Sequence, residues 1–287
     1  MTTELKYTLV AATIIIVLSA AYGIRVLIKG RARFERIDRQ GGSPLLRKGS
    51  MEIAYWFLTP VAKFLAALGA TANQISWVSL GFGFLAGVFL ATGHFGFGAI
   101  CATICGFLDS LDGMVARIAG LASDAGEVLD AAVDRYVEFF FLAGLVVYYR
   151  EVPLLQALAL VTLLGSFMVS YSSAKAEALQ VDVPKGSMRR PERAVYLILG
   201  GSLSALSIAW FEDLSEFPHP LGYPMIVALG LVAWAANISA IGRFRYIARA
   251  IRGRERDAAA FNSANEKSSS DASPSDPIAR HAADFRL

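Results

Sequence analysis

Four aspartates, at positions 109, 112, 130 and 134, stand in the stretch DSLDGMVARIAGLASDAGEVLDAAVD, between long apolar runs. Asp109 and Asp112 are three residues apart and Asp130 and Asp134 four apart, so on helices each pair shares a face. If the chain reverses through 118–125, with its apex near 121–122, positions equidistant from the apex pair Asp112 with Asp130 and Asp109 with Asp134. The carboxylates then converge roughly 12–18 Å from the apex, at 1.5 Å per residue. An isolated charge at membrane depth costs at least ~2.5–3.5 kcal/mol, and neighbouring carboxylates repel one another. Such a cluster calls for cations, and an all-oxygen set favours a hard ion, Mg²⁺ or Mn²⁺, with four carboxylates enough for one or two.

The residues between the aspartates suggest what the ions would serve. Gly113, Ala116 and Gly126 are small and lie on or near the aspartate faces, leaving room for a ligand against the helix backbone. Arg117, near the end of the first helix, offers a fork suited to phosphate. Together these describe a nucleotide diphosphate site. Each part also has a structural reading: small residues pack membrane helices, a terminal Arg anchors topology, and buried aspartates relay protons or cations.

These residues must be positioned by membrane helices. Of the 287 residues 55% are hydrophobic and 18% charged, with a mean hydropathy of +0.49, which indicates a polytopic membrane protein. Apolar runs predict spans near 7–24, 75–93, 96–117, 127–148, 153–174, 194–211 and 223–242. Lys and Arg crowd alternate loops: nine lie between Arg25 and Lys63, five between Lys175 and Arg193, and six between Arg243 and Arg256. The intervening loops are poor in them, and 212–222 is acidic. This bias places the N-terminus outside and the 118–126 turn, with its aspartates, toward the cytoplasm.

Charges follow the first apolar run instead of preceding it, so residues 1–50 read as a retained anchor and basic linker, not a cleaved signal. Residues 51–70, interrupted by Pro60, read as an interfacial amphipathic helix. The catalytic membrane domain is assigned to 71–256, and the Ser-, Asp- and Asn-rich 257–287 to a disordered cytoplasmic tail. Cys101 and Cys105 fill packing gaps on one helix face, and His94, His219 and His281 have no metal-ligand spacing. The basic cytoplasmic face, within a net charge of +3, suits lipid headgroups and phosphates and gives no sign of nucleic acid.

As a pattern the segment is D-x₂-D-G-x₂-A-R-x₈-G-x₃-D-x₃-D, from Asp109 to Asp134. This resembles the signature of the CDP-alcohol phosphotransferase family at every fixed position, a match expected by chance on the order of once in ten billion starts. The resemblance implies an all-α fold with a six-helix membrane core, here extended by one N-terminal transmembrane helix and the interfacial helix. It also implies a homodimer that cleaves a CDP-linked donor and transfers its phosphoryl-lipid or headgroup unit to an alcohol, releasing CMP. By motif position Asp109, Asp112, Asp130 and Asp134 would ligate metal, with Asp134 also the base. Gly113, Arg117 and Ser123 would contact the CDP unit. Thr71-Ala72-Asn73-Gln74-Ile75-Ser76 resembles the family's entry to its first core helix, which borders the nucleotide at Asn73, although Ala72 replaces a Pro and Thr71 is equally an ordinary N-cap.

Further along, SYSSAKAEALQVDVPKGSMRRPERAVYL resembles the bacterial phosphatidylinositol-phosphate synthase subgroup through Ser170, Tyr171, Ala174, Ala176, Glu177, Gly186, Arg190, Pro191, Glu192 and Arg193. That resemblance implies CDP-diacylglycerol as donor, inositol phosphate or a similar polyol phosphate as acceptor, and an acceptor-phosphate pocket of Arg190, Arg193 and Arg243. Three positions depart from the subgroup: Ser173 for Lys, Lys175 for Arg, and Arg189 for Glu. Lys175 is expected to restore part of the charge. Glycerol 3-phosphate or a neutral alcohol is the alternative acceptor, the same charges serving topology alone is the alternative for the loop, and a cation or proton transporter is the alternative of another class. The expected setting is a bacterial inner membrane with the active site facing the cytoplasm.

Overall fold

The computed structural model describes residues 3–30, 48–184, 186, 188–211 and 220–271. Those residues form eight α-helices and one 3₁₀ turn, with no strand. In chain order they are α1 (Thr3–Lys29), α2 (Lys48–Ala67), α3 (Ala72–Ala91), α4 (Phe95–Ile118), α5 (Asp124–Tyr148), the 3₁₀ turn Tyr149–Glu151, α6 (Pro153–Ala178), α7 (Arg190–Phe211) and α8 (Tyr223–Asp271).

Local chemistry sets the helix starts. Thr71 caps α3 by accepting from the Gln74 amide at 3.3 Å, and the Gln74 side chain accepts from the Thr71 amide at 3.0 Å, a reciprocal capping box. Ser123 caps α5 by accepting from the Gly126 amide at 3.2 Å. Between α4 and α5 Gly120 adopts φ +68°, the left-handed conformation that lets the hairpin reverse. Pro153 opens α6, where its missing N–H costs nothing.

A seam of small residues brings α3 and α5 together. A Cβ on Gly87 would strike the Phe140 carbonyl oxygen, and one on Gly144 would strike the Gly87 carbonyl oxygen. Only glycine permits this approach. The main core gathers around Leu90, Phe95, Leu142, Leu145, Tyr149, Met225, Leu229 and Val232.

Large apolar side chains face outward on every side, among them Ile16, Trp77, Phe84, Leu154, Leu164 and Trp234. That exterior is an apolar belt suited to lipid. Six described helices are long and apolar enough to cross a membrane. The expected seventh, α5, is long enough but carries Asp124, Glu127, Asp130, Asp134, Arg135 and Glu138. Its hydropathy is sacrificed because it supplies half of the aspartate cluster.

Helix α1 packs against α2, α4 and α7. Glu4 accepts from the Gly96 amide at 2.5 Å and lies 3.3 Å from His94 Nδ1, holding the start of α4. Near the other end the Tyr22 hydroxyl donates to buried Glu52 of α2 at 2.9 Å. Helix α2 in turn sets Leu58 and Ala62 against Ile75, Leu111, Met114 and Val115, beside the part of α4 that carries Asp112.

Three sequence expectations change. Pro60 does not interrupt the second segment; α2 runs through it, and the flanking Leu58 and Ala62, both buried, hold the helix by packing. The span expected at 194–211 begins at Arg190, because Pro191 suits a first turn and Glu192 accepts from the Arg189 amide at 3.1 Å. Residues 257–271, expected in a disordered tail, continue α8. Ala258, Ala259 and Ala260 extend an existing helix without the cost of nucleation. The basic linker over 31–47, the acidic stretch 212–219 and the tail beyond 271 lie outside the described residues.

Candidate active site

The hairpin of α4 and α5 gathers the aspartates as their spacing predicts, with one difference. Carboxylate oxygens of Asp109, Asp130 and Asp134 lie within 4.8 Å of one another. Asp112 is turned toward α3: its Oδ2 accepts from the Ser76 hydroxyl at 2.7 Å and its Oδ1 from the Gly113 amide at 2.5 Å. Three carboxylates therefore converge, and the fourth is held at their side by a buried serine. Asp134 Oδ1 is buried with no aligned hydrogen bond. Clustered carboxylate oxygens with a buried, hydrogen-bond-deficient member fit a hard divalent cation.

Helix α7 delivers two arginines to this cluster. Arg190 Nη1 donates to Asp109 Oδ1 at 2.8 Å and lies 2.6 Å from Asp134 Oδ1. Arg193 is fully buried and grips Glu138 with two hydrogen bonds, 2.7 Å from Nε and 2.9 Å from Nη2. Its Nη1 donates to the Met188 carbonyl at 2.8 Å. Met188 has φ +62°, a conformation that a non-glycine residue rarely adopts, in the turn just before α7.

Beside the cluster opens a cavity of about 550 Å³, lined by Asp134, Arg135, Ser170, Ser173, Arg189, Arg190, Arg193 and Arg243 together with Val169, Val183 and Pro184. Arg243, from α8, donates from Nη1 to Ser173 Oγ at 2.6 Å, while its Nε is buried without a hydrogen-bond partner. Gly186 lies directly against it, where a Cβ would stand 3.2 Å from Nε. The cavity thus places one aspartate of the cluster beside several guanidinium groups, an arrangement suited to a phosphorylated ligand.

The expected acceptor pocket is redrawn accordingly. Arg190 and Arg243 line the cavity, and Arg193 lines it with its guanidinium committed to Glu138 and Met188. Lys175 lies outside: it is exposed and absent from the wall. Ser170 and Ser173, three apart on α6, face the cavity, and a residue two further on is carried about 200° around the helix. Of the residues expected near the nucleotide, Gly113 adjoins Asp112 on α4, with Arg117 exposed one turn later on the same face. Asn73 is exposed in the first turn of α3, and Ser123 is engaged as the cap of α5.

Glu138, Ser76 and Arg135 escaped the sequence reading. Glu138 has a signal: it stands four residues after Asp134, one more carboxylate on the same helical face. Ser76 was visible only as a residue near a helix start. Arg135 follows Asp134 and lines the cavity while donating from Nη1 to the Ala131 carbonyl at 2.5 Å.

An all-helical bundle with membrane-length apolar helices sets a carboxylate cluster against an arginine-lined cavity, an arrangement suited to chemistry on phosphorylated substrates. Residues 69–241 match the model of the CDP-alcohol phosphatidyltransferase family. The phosphatidylinositol phosphate synthase of Corynebacterium glutamicum is 32% identical over 178 residues, covering 60% of this chain and 81% of the relative. The archaetidylinositol phosphate synthase of Pyrococcus horikoshii is 32% identical over 155 residues, 53% of this chain and 79% of the relative. Among solved structures, the Mycobacterium tuberculosis phosphatidylinositol phosphate synthase with CDP-DAG bound superposes with a TM-score of 0.57 at 26% identity, covering 66% of this chain and 92% of that one. The same enzyme in complex with manganese and citrate gives a TM-score of 0.58 at 26% identity, over 66% and 88% of the two chains. The chain belongs to the CDP-alcohol phosphatidyltransferase family. It is an integral membrane enzyme of that class, which decides against the transport alternative.

Proposed function

We propose that this enzyme transfers the phosphatidyl group of CDP-diacylglycerol to inositol phosphate, releasing CMP. The observation that carries this reading is the cavity itself: Asp134 of the carboxylate cluster shares its wall with Arg189, Arg190 and Arg243. An acceptor carrying both a hydroxyl and a phosphate suits that wall, because the arginines hold the phosphate while the hydroxyl is presented to Asp134. The relatives that make phosphatidylinositol phosphate and archaetidylinositol phosphate support the choice of polyol. Glycerol 3-phosphate satisfies the same charge pattern and is the second reading, whereas a neutral alcohol brings no anion to the cavity's guanidinium groups.

Asp109, Asp130 and Asp134 would hold Mg²⁺ or Mn²⁺, with Asp112 beside them, and two ions are expected. Bound there, the metal supplies charge neutralisation of the diphosphate and of the leaving CMP oxygen. The protein's own contributions are positional. Ser76 fixes the Asp112 carboxylate; Asp134 accepts the proton of the acceptor hydroxyl; Arg243, braced by Ser173 and by the close approach of Gly186, holds the acceptor phosphate. Gly113 and Arg117 border the CDP unit from α4. A homodimer in a bacterial-type inner membrane, its active site facing the cytoplasm, is the expected assembly, in keeping with the basic loops on that side.

Incubating the purified protein and Mg²⁺ with CDP-diacylglycerol and, separately, inositol phosphate, glycerol 3-phosphate and inositol, then weighing the lipid products by mass spectrometry, tests the reading. Phosphatidylinositol phosphate as the dominant product supports it. A dominant phosphatidylglycerol phosphate or phosphatidylinositol overturns the choice of acceptor.

A further inference from the structure

Arg190 holds two positions at once. It lines the acceptor cavity, and its Nη1 lies 2.8 Å from Asp109 Oδ1 and 2.6 Å from Asp134 Oδ1. Both aspartates belong to the set of three whose oxygens converge within 4.8 Å. The guanidinium is thus a counter-ion of the carboxylate cluster. The pairing with Asp134 is electrostatic without hydrogen-bond alignment, since Asp134 Oδ1 has no hydrogen-bond partner, so it is the more easily exchanged of the two contacts.

A divalent cation seated among the same oxygens sets a like charge against Nη1 at a few ångströms, where repulsion is strong in a partly buried site. On the cavity side Arg190 shares the wall with Arg189 and Arg243, and Glu138, a further carboxylate that acts on it, is already held by Arg193. We infer that Arg190 couples the two halves of the site: it neutralises Asp109 and Asp134 until a phosphate enters the cavity, then turns to that phosphate and yields the carboxylates to the metal. The inference rests on the metal and acceptor sites proposed above and adds a link between them. By thermodynamic reciprocity, whatever tightens metal binding on adding phosphate must tighten phosphate binding on adding metal. The consequence for the enzyme is mutual reinforcement, in which metal and acceptor phosphate each tighten the other's binding.

Mn²⁺ binding to the full-length protein in detergent, read from the electron paramagnetic resonance signal of the free ion, tests the link without turnover. It is measured with and without inorganic phosphate, in wild type and in Arg190→Gln. Phosphate is expected to tighten Mn²⁺ binding of wild type about fivefold or more. Arg190→Gln is expected to bind Mn²⁺ about fivefold more tightly than wild type without phosphate, and to respond less than twofold to phosphate. A phosphate response of equal size in Arg190→Gln overturns the coupling, because it assigns the effect to direct contact between phosphate and metal. Arg190→Gln leaves two carboxylates facing each other, so wild type alone also decides: Mn²⁺ affinity indifferent to phosphate overturns the inference even if the variant does not fold. Failure of wild type to bind Mn²⁺ under any condition overturns the metal site itself, and the inference with it.

Discussion

Removing one partner of the Arg193–Glu138 pair is the perturbation whose outcome the geometry specifies most fully. Arg193 has no exposed surface, the Glu138 side chain is 10% exposed, and the pair is joined at 2.7 and 2.9 Å. Glu138→Ala leaves a buried guanidinium with only the Met188 carbonyl and a 3.4 Å contact to Ser170. Breaking a buried pair from one side costs about 3–5 kcal/mol, whereas replacing both partners with apolar residues of similar size is close to neutral. At about 2–4 °C per kcal/mol the single variant should lose about 6–20 °C in unfolding midpoint. The double variant Glu138→Leu with Arg193→Met should recover most of that loss. Tryptophan fluorescence during heating of the detergent-solubilised proteins measures both, and a double-mutant cycle completed by Glu138→Leu and Arg193→Met singly isolates the pair. If Glu138→Ala and Arg193→Ala each shift the midpoint by under about 2 °C while Arg193→Ala raises the acceptor KM, the reasoning fails and Arg193 is a ligand-binding residue instead.

Two further substitutions separate other roles. Gly144→Ala pushes a methyl group into the Gly87 backbone and should destabilise by about 1–3 kcal/mol, while Gly81→Ala, with nothing within 4 Å, should be neutral or stabilising by up to about 1 kcal/mol; unfolding midpoints compare them. Arg243→Ala removes a charged hydrogen-bonding group worth about 1.5–3 kcal/mol and should raise the acceptor KM roughly tenfold or more, with the donor KM unchanged. Lys175→Ala should leave both within about twofold, because its side chain is exposed outside the cavity.

The spacing of the aspartates made the hairpin legible, because i, i+3 and i, i+4 positions share a helical face wherever the helix lies. Six of the seven expected membrane spans were legible for a similar reason, since hydropathy acts over a window and needs no partner. What escaped depends on contacts between distant residues. Arg190 meets Asp109 across 81 positions of sequence, and Arg193 meets Glu138 across 55. The loop's basic composition marked an anion site without showing which arginines were already paired. A motif match fixes Lys175 by position and not by the direction it faces on α6, and nothing in the spacing of Asp112 reveals a serine on α3. The polar composition of 257–271 does not reveal the long helix that it continues.

Release of CMP from CDP-diacylglycerol by the purified protein tests the transfer reaction itself. With Mg²⁺ and inositol phosphate, CMP should form in step with the lipid product, and a chelator or Asp134→Asn should abolish it, while Asp134→Asn still binds the donor. No CMP release with any acceptor from a folded, metal-binding protein, or substantial turnover by Asp134→Asn, would contradict it.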